Sequence, residues 1–143
     1  MIIRIPLKKI KIPGGGLHLT CHIYADNLQA AVIIDTGASI SVFHEKTFSP
    51  YFTEGKMDKN EDAFSSGIST MIEGHRLGYI SGIALEGLFL HNETAGLMDL
   101  SHIRKIYNEY FDFAIEGLIG CDMLDKYKAV IDFKRMNLIF HKH

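Results

Sequence analysis

The chain has no tryptophan, only three prolines and only two cysteines, Cys21 and Cys121. Two cysteines cannot form a disulfide framework for a domain of this size. Charge of one sign is not concentrated anywhere. Fifteen basic and 17 acidic side chains leave a formal net charge of -2, which excludes the strongly basic surfaces that hold nucleic acid or anionic membranes. Long apolar runs are missing as well, and none approaches the roughly 20 residues of a membrane span. The start, Met-Ile-Ile-Arg-Ile-Pro-Leu-Lys-Lys, does not read as a signal peptide. The expected location is cytoplasmic, with reduced thiols. Eight histidines are present, but no His/Cys/Asp group has ligand spacing. His18 and His22 share a strand face yet lie too far apart to chelate together. Neither a metal nor a cofactor is expected, and no Gly-x-Ser-x-Gly hydrolase motif occurs.

What is present is β-forming. Hydrophobic residues make up 47% of 143 positions, enough for one core, so residues 1–143 are expected to form one domain. Residues 2–12 read as a strand interrupted by Pro6, which suits an edge. A Pro-Gly-Gly-Gly loop follows at 13–16. Leu17, Leu19, Cys21 and Ile23 then alternate with His18, Thr20, His22 and Tyr24. Asp26-Asn27 turns the chain, and residues 28–34 return as the partner strand. That strand runs directly into Asp35-Thr36-Gly37 before a second apolar run, Ile40 to Phe43. A carboxylate at the end of a buried strand is costly to ionise. Gly37 is expected to let the backbone fold back over it.

Further on, residues 45–52 read as a short helical turn ending near Pro50, and residues 53–62 as a charged surface loop. Residues 63–90 alternate again, with scattered glycines that mark hairpin turns. Residues 99–111 are different: Ile103, Ile106, Tyr107 and Tyr110 fall on one helical face, and Asp99 or Ser101 is placed to cap its start. A second helix is expected over 122–127, with Asp122 complementing its N-terminus.

The segment Asp35-Thr36-Gly37-Ala38 resembles the signature of aspartic proteases, and of the single-domain, retropepsin-like branch in particular. Far downstream, Gly117-Leu118-Ile119-Gly120-Cys121-Asp122-Met123-Leu124 resembles the apolar-apolar-Gly turn and helix that close that family's active-site loop. Residues 129–133 and 138–140 resemble its closing strands. The two motifs stand in the family's order, and the resemblance covers most of the chain from about Leu17 on. It implies an all-β, retropepsin-like acid protease barrel with short helices. The helix near 100–111 would then be an insertion packed outside the sheet.

The resemblance implies chemistry that one copy cannot perform. Peptide hydrolysis by this route needs two carboxylates on one water, one accepting a proton and the other donating. Such a pair holds one proton between them, because two adjacent like charges cannot both ionise. Only one Asp-Thr-Gly occurs here, so the second acid would be Asp35 of another copy across a two-fold axis. The expected protein is a homodimeric aspartic-type endopeptidase acting on peptide or protein substrates in extended conformation. The alternative is a non-catalytic dimeric module that binds extended peptides. Asp35 is the expected catalytic residue, supported by Thr36, Gly37 and Ala38, with Leu118, Ile119 and Gly120 closing the loop. Alanine at 38, where pepsin-like enzymes carry serine, removes a donor to the carboxylate, so activity should extend to less acidic pH. Retroviral enzymes often pair an arginine with an aspartate at the positions of Cys121 and Ser39; both partners are replaced together, leaving no buried charge alone. The family's flap is expected at residues 65–70, and Ile40, Val42, Gly67 and Ile68 are expected to line the substrate groove. The termini are expected to be exposed apolar strands that interleave in the dimer.

Overall fold

A computed structural model describes residues 1–55 and 76–143; the expected flap at 65–70, with Gly67 and Ile68, lies outside them. The all-β class with short helices is what the chain adopts. Pro6 breaks the first apolar stretch in two. β1 (Ile2–Pro6) and β2 (Lys8–Ile12) join different sheets. β3 (Gly16–Ala25) and β4 (Leu28–Ile34) form the expected hairpin, paired from Leu19↔Ile34 to Ala25↔Leu28. Asp26 takes a positive φ of 50° in the turn, a conformation that aspartate adopts more readily than most residues.

After β4 come β5 (Val42–His44), α1 (Glu45–Phe48), a 3-10 turn (Ser49–Tyr51) and β6 (Phe52–Glu54). Then follow β7 (Arg76–Ile80), β8 (Ile83–Leu85), β9 (Leu88–Leu90) and β10 (Glu93–Met98). The chain ends with α2 (Ser101–Tyr107), β11 (Ile115–Ile119), α3 (Cys121–Lys126), β12 (Val130–Asp132) and β13 (Asn137–His141). The large sheet runs β6-β7-β10-β5-β11-β4-β3-β8-β9, with β2 also on β3. Within it, β4 lies parallel to β11, Ile34 opposite Ile119. β5 is central, parallel to β10 and antiparallel to β11. The two apolar runs that end in Asp35 and Gly120 are therefore neighbours whose ends emerge at the same edge.

The main core gathers one face of this sheet and the small sheet β1-β13-β12 around Phe43, Phe48, Ile80, Leu97 and Phe140. Truncating one such aromatic to alanine typically costs roughly 3–5 kcal/mol. A second cluster joins Tyr107 and Phe111 to Ile10, Ile33 and Ile115, and this is what seats α2. The termini expected to be exposed are instead paired with each other within the chain. β1 and β13 are each other's partners, Ile3 opposite Phe140 and Ile5 opposite Leu138. All four side chains are buried in the chain's own core.

Candidate active site

Asp35 follows directly on β4, half-buried, with Thr36 and Gly37 exposed beyond it. Its backbone N–H donates to the Ile119 carbonyl (2.9 Å), extending the β4–β11 pairing by one step. Its carbonyl accepts the Ala38 N–H (3.1 Å), closing a tight turn. The Gly37 N–H donates to Asp35 Oδ1 at 2.9 Å. Among the described residues no side-chain hydroxyl donates to this carboxylate, as expected with alanine at 38. The backbone folds back over the carboxylate here as expected, but without a positive φ at Gly37. A β-carbon there would stand 3.2 Å from Asp35 Oδ1. Glycine leaves the carboxylate uncrowded.

The second loop locks the first. A β-carbon at Gly120 would meet the carbonyl oxygens of Ile40 at 2.6 Å and Ala38 at 2.8 Å, closer than a side chain can sit. That contact explains the glycine of the apolar-apolar-Gly turn. The N–H of Cys121 donates to the Ala38 carbonyl (2.8 Å), and that of Asp122 to Ser39 (3.2 Å). The Cys121 thiol donates to the Thr36 carbonyl at 3.0 Å. Ser41, fully buried, accepts the Gly120 N–H (2.9 Å) and donates to Asp122 Oδ1 (2.8 Å). Asp122 Oδ1 also takes the Met123 N–H at the start of α3. Backbone bonds to Ala38 and Ser39 thus stand where an arginine–aspartate pair is absent.

The structure brings together Asp35, Thr36, Gly37, Ala38, Ile119 and Gly120 at one sheet edge. Ile40 and Val42 go elsewhere: with Leu100 they form a buried cluster, because β5 is covered on both sides. Leu118 turns instead into a cavity of about 420 Å³ that has Asp35 on its lining. Ile33, Ile103, Ile106, Tyr107 and His18 line it too. Burial, and secondarily the Asp35 charge, push the Tyr107 phenol above its ordinary range, so it stays a neutral donor. Ser41 and this α2 wall are what sequence reasoning missed. A small polar residue between Ile40 and Val42 was the available signal for Ser41. The helical period marked Ile103, Ile106 and Tyr107 only as an apolar face.

Among the described residues no group of three or more His, Cys, Asp or Glu could hold a metal ion. No helix among them is long and apolar enough to cross a membrane.

Solved structures of retropepsin-like description match the chain in fold along nearly its whole length. One is a retropepsin-like aspartic protease from Rickettsia conorii, 18% identical with a TM-score of 0.47, covering 98% of this chain and 89% of that one. Another is the retroviral protease-like domain of Ddi1 from Leishmania major, 12% identical with a TM-score of 0.47, covering 96% of each chain. No family model and no curated protein sequence matches the chain.

Proposed function

We propose that the chain is one domain whose homodimer is an aspartic-type endopeptidase, with Asp35 from each copy sharing one water. The observation that carries this reading is the mounting of Asp35. Its carboxylate stands at a sheet edge, held by the Gly37 N–H, backed by the Gly120 turn, and opens onto a largely apolar cavity. No other acid lines that cavity among the described residues. A lone carboxylate can activate water but cannot also protonate the scissile carbonyl. A second copy supplies the missing acid if the exposed Thr36 edges meet on a two-fold axis. The pair would then carry one proton, and its titration would belong to both residues jointly. Substrate would lie extended across the two Asp35 loops, recognised through main-chain hydrogen bonds.

The test is cleavage of a peptide library by the wild type and by Asp35→Asn, with sedimentation of both. Active dimeric wild type and a dimeric variant slowed by about 10²–10⁴-fold or more are expected. A wild-type dimer that binds extended peptides without cutting them would establish the non-catalytic module instead. A monomer that cuts would overturn the shared dyad.

A further inference from the structure

A second cavity, of about 430 Å³, lies where the end of β13, the C-terminal end of α3 and the β9–β10 connection meet. It shares no lining residue with the cavity beside Asp35, and the proteolytic reading makes no use of it. Three observations define what it suits. First, its lining is basic. Lys126, Lys142 and the imidazoles of His91, His141 and His143 border it, and Glu93 is the one acid among them. That acid is already occupied. Glu93 is buried, its Oε2 accepts Lys126 Nζ at 2.8 Å, and its Oε1 accepts the Tyr127 hydroxyl. Burial, with the Glu93 carboxylate second, pushes the Tyr127 phenol up, so it adds no negative charge. Lys142 forms no ion pair with a side chain among the described residues.

Second, the donors are mounted on fixed backbone and approach from three elements. The Tyr127 ring stacks on Phe140, centroids 5.1 Å apart. The His141 N–H donates to the Tyr127 carbonyl (2.7 Å), and His141 Nδ1 stands 2.9 Å from the Lys128 carbonyl. The Lys142 N–H donates to the Met1 carbonyl at 2.9 Å. A site held this way is preformed, so a guest does not have to order it. These histidines do not form a group able to hold a metal ion. A phosphate monoester, with three acceptor oxygens and nearly two charges, can bridge donors spaced this way. A planar carboxylate is matched better by a single fork. Third, Phe89 lines the same cavity and is 61% exposed, an aromatic face its own chain does not cover. The volume lies in the lower part of the roughly 300–1,000 Å³ typical of ligand clefts, more than a bare phosphate fills.

We propose that this cavity binds a phosphate monoester carried on an aromatic or apolar body, the phosphate held by Lys142, Lys126 and the imidazoles and the body laid against Phe89. A free phosphorylated small molecule and a phosphorylated tyrosine of another protein offer that same chemistry.

The test is calorimetric titration of phenyl phosphate, inorganic phosphate and phenylacetate into the wild type, Lys142→Gln and Phe89→Ala. Position 89 is exposed and Lys142 joins the sheet through its backbone, and circular dichroism verifies that both variants fold. Phenyl phosphate should bind the wild type about tenfold or more tighter than either other probe. Lys142→Gln should weaken it about tenfold or more, and Phe89→Ala should reduce it to the level of inorganic phosphate. A phosphotyrosine peptide separates the sources: a further gain over phenyl phosphate points to a phosphorylated protein, and no gain to a free phosphomonoester. No saturable binding at millimolar concentration, phenylacetate bound as tightly as phenyl phosphate, or binding that either variant leaves unchanged would overturn the site. None of these readouts depends on peptide cleavage, so their failure leaves the proteolytic reading untouched.

Discussion

Gly120 shows how far a single position constrains this site. Adding one methyl group there would drive it into two backbone carbonyls, at 2.6 and 2.8 Å, and backbone cannot swing aside as a side-chain tip can. Overpacking of this kind costs roughly 1–3 kcal/mol. Gly120→Ala should therefore lower the unfolding free energy by that much and weaken any activity by shifting the Asp35 loop. Urea unfolding beside a cleavage assay checks both. Gly120 and Asp35 were legible in the sequence because a close backbone approach and a held carboxylate each demand a particular residue. Ser41 was not, because a serine in an apolar run looks the same whether it bonds to a neighbouring turn or to its own backbone.

Among the elements, the β3–β4 hairpin lies where periodicity put it, and α3 lies close to the expected 122–127. Periodicity is a local property, and these elements are built from local contacts. β5 shows where it stops. Ile40 and Val42 looked like candidates for an open groove, yet a strand with neighbours on both sides and a helix end over it has no open face. α2 ends at Tyr107, so Tyr110 of the expected stripe lies beyond it, and only Tyr107 of that stripe is buried, while Ile106 and Tyr110 stay exposed. Amphipathicity marks which face is apolar, not which part of it another element reaches. The turn between β12 and β13 carries a prediction of its own. The Arg135 backbone N–H foremost, with the Arg135 guanidinium and the Lys134 N–H, holds the Asp132 carboxyl below the usual carboxylate range. A depressed folded-state value contributes stability above the ordinary carboxylate pKa, roughly 3.9, and loses it as pH falls through the folded value. Asp132→Asn should thus be less stable than wild type at pH 6, with the gap closing toward pH 2. Thermal melts across that range would check it; a gap independent of pH would contradict it.

For the whole molecule, the pairing of β1 with β13 changes what the ends do. Ile3 and Ile5 complete the main core beside Leu138 and Phe140. Removing residues 1–6 should destabilise the isolated fold by several kcal/mol, since burying each large aliphatic side chain is worth roughly 1.5–3 kcal/mol. Denaturation of the truncated chain at low concentration measures this apart from any association. Midpoints equal to those of the full chain would show that the strand matters only between copies. The sequence marked both ends as apolar strands, but the partner of an apolar strand is a tertiary choice that the local pattern does not encode.

That choice has a mechanical side. The amino group of Met1 donates to the carbonyl of Lys142 at 2.8 Å, so the two ends leave from the same corner. Tension applied there would meet the ladder rung by rung, like the slider of a zip, instead of loading all its rungs at once. Traction on the tails would open the small sheet first, while the long, many-stranded sheet that bears Asp35 would feel the strain last.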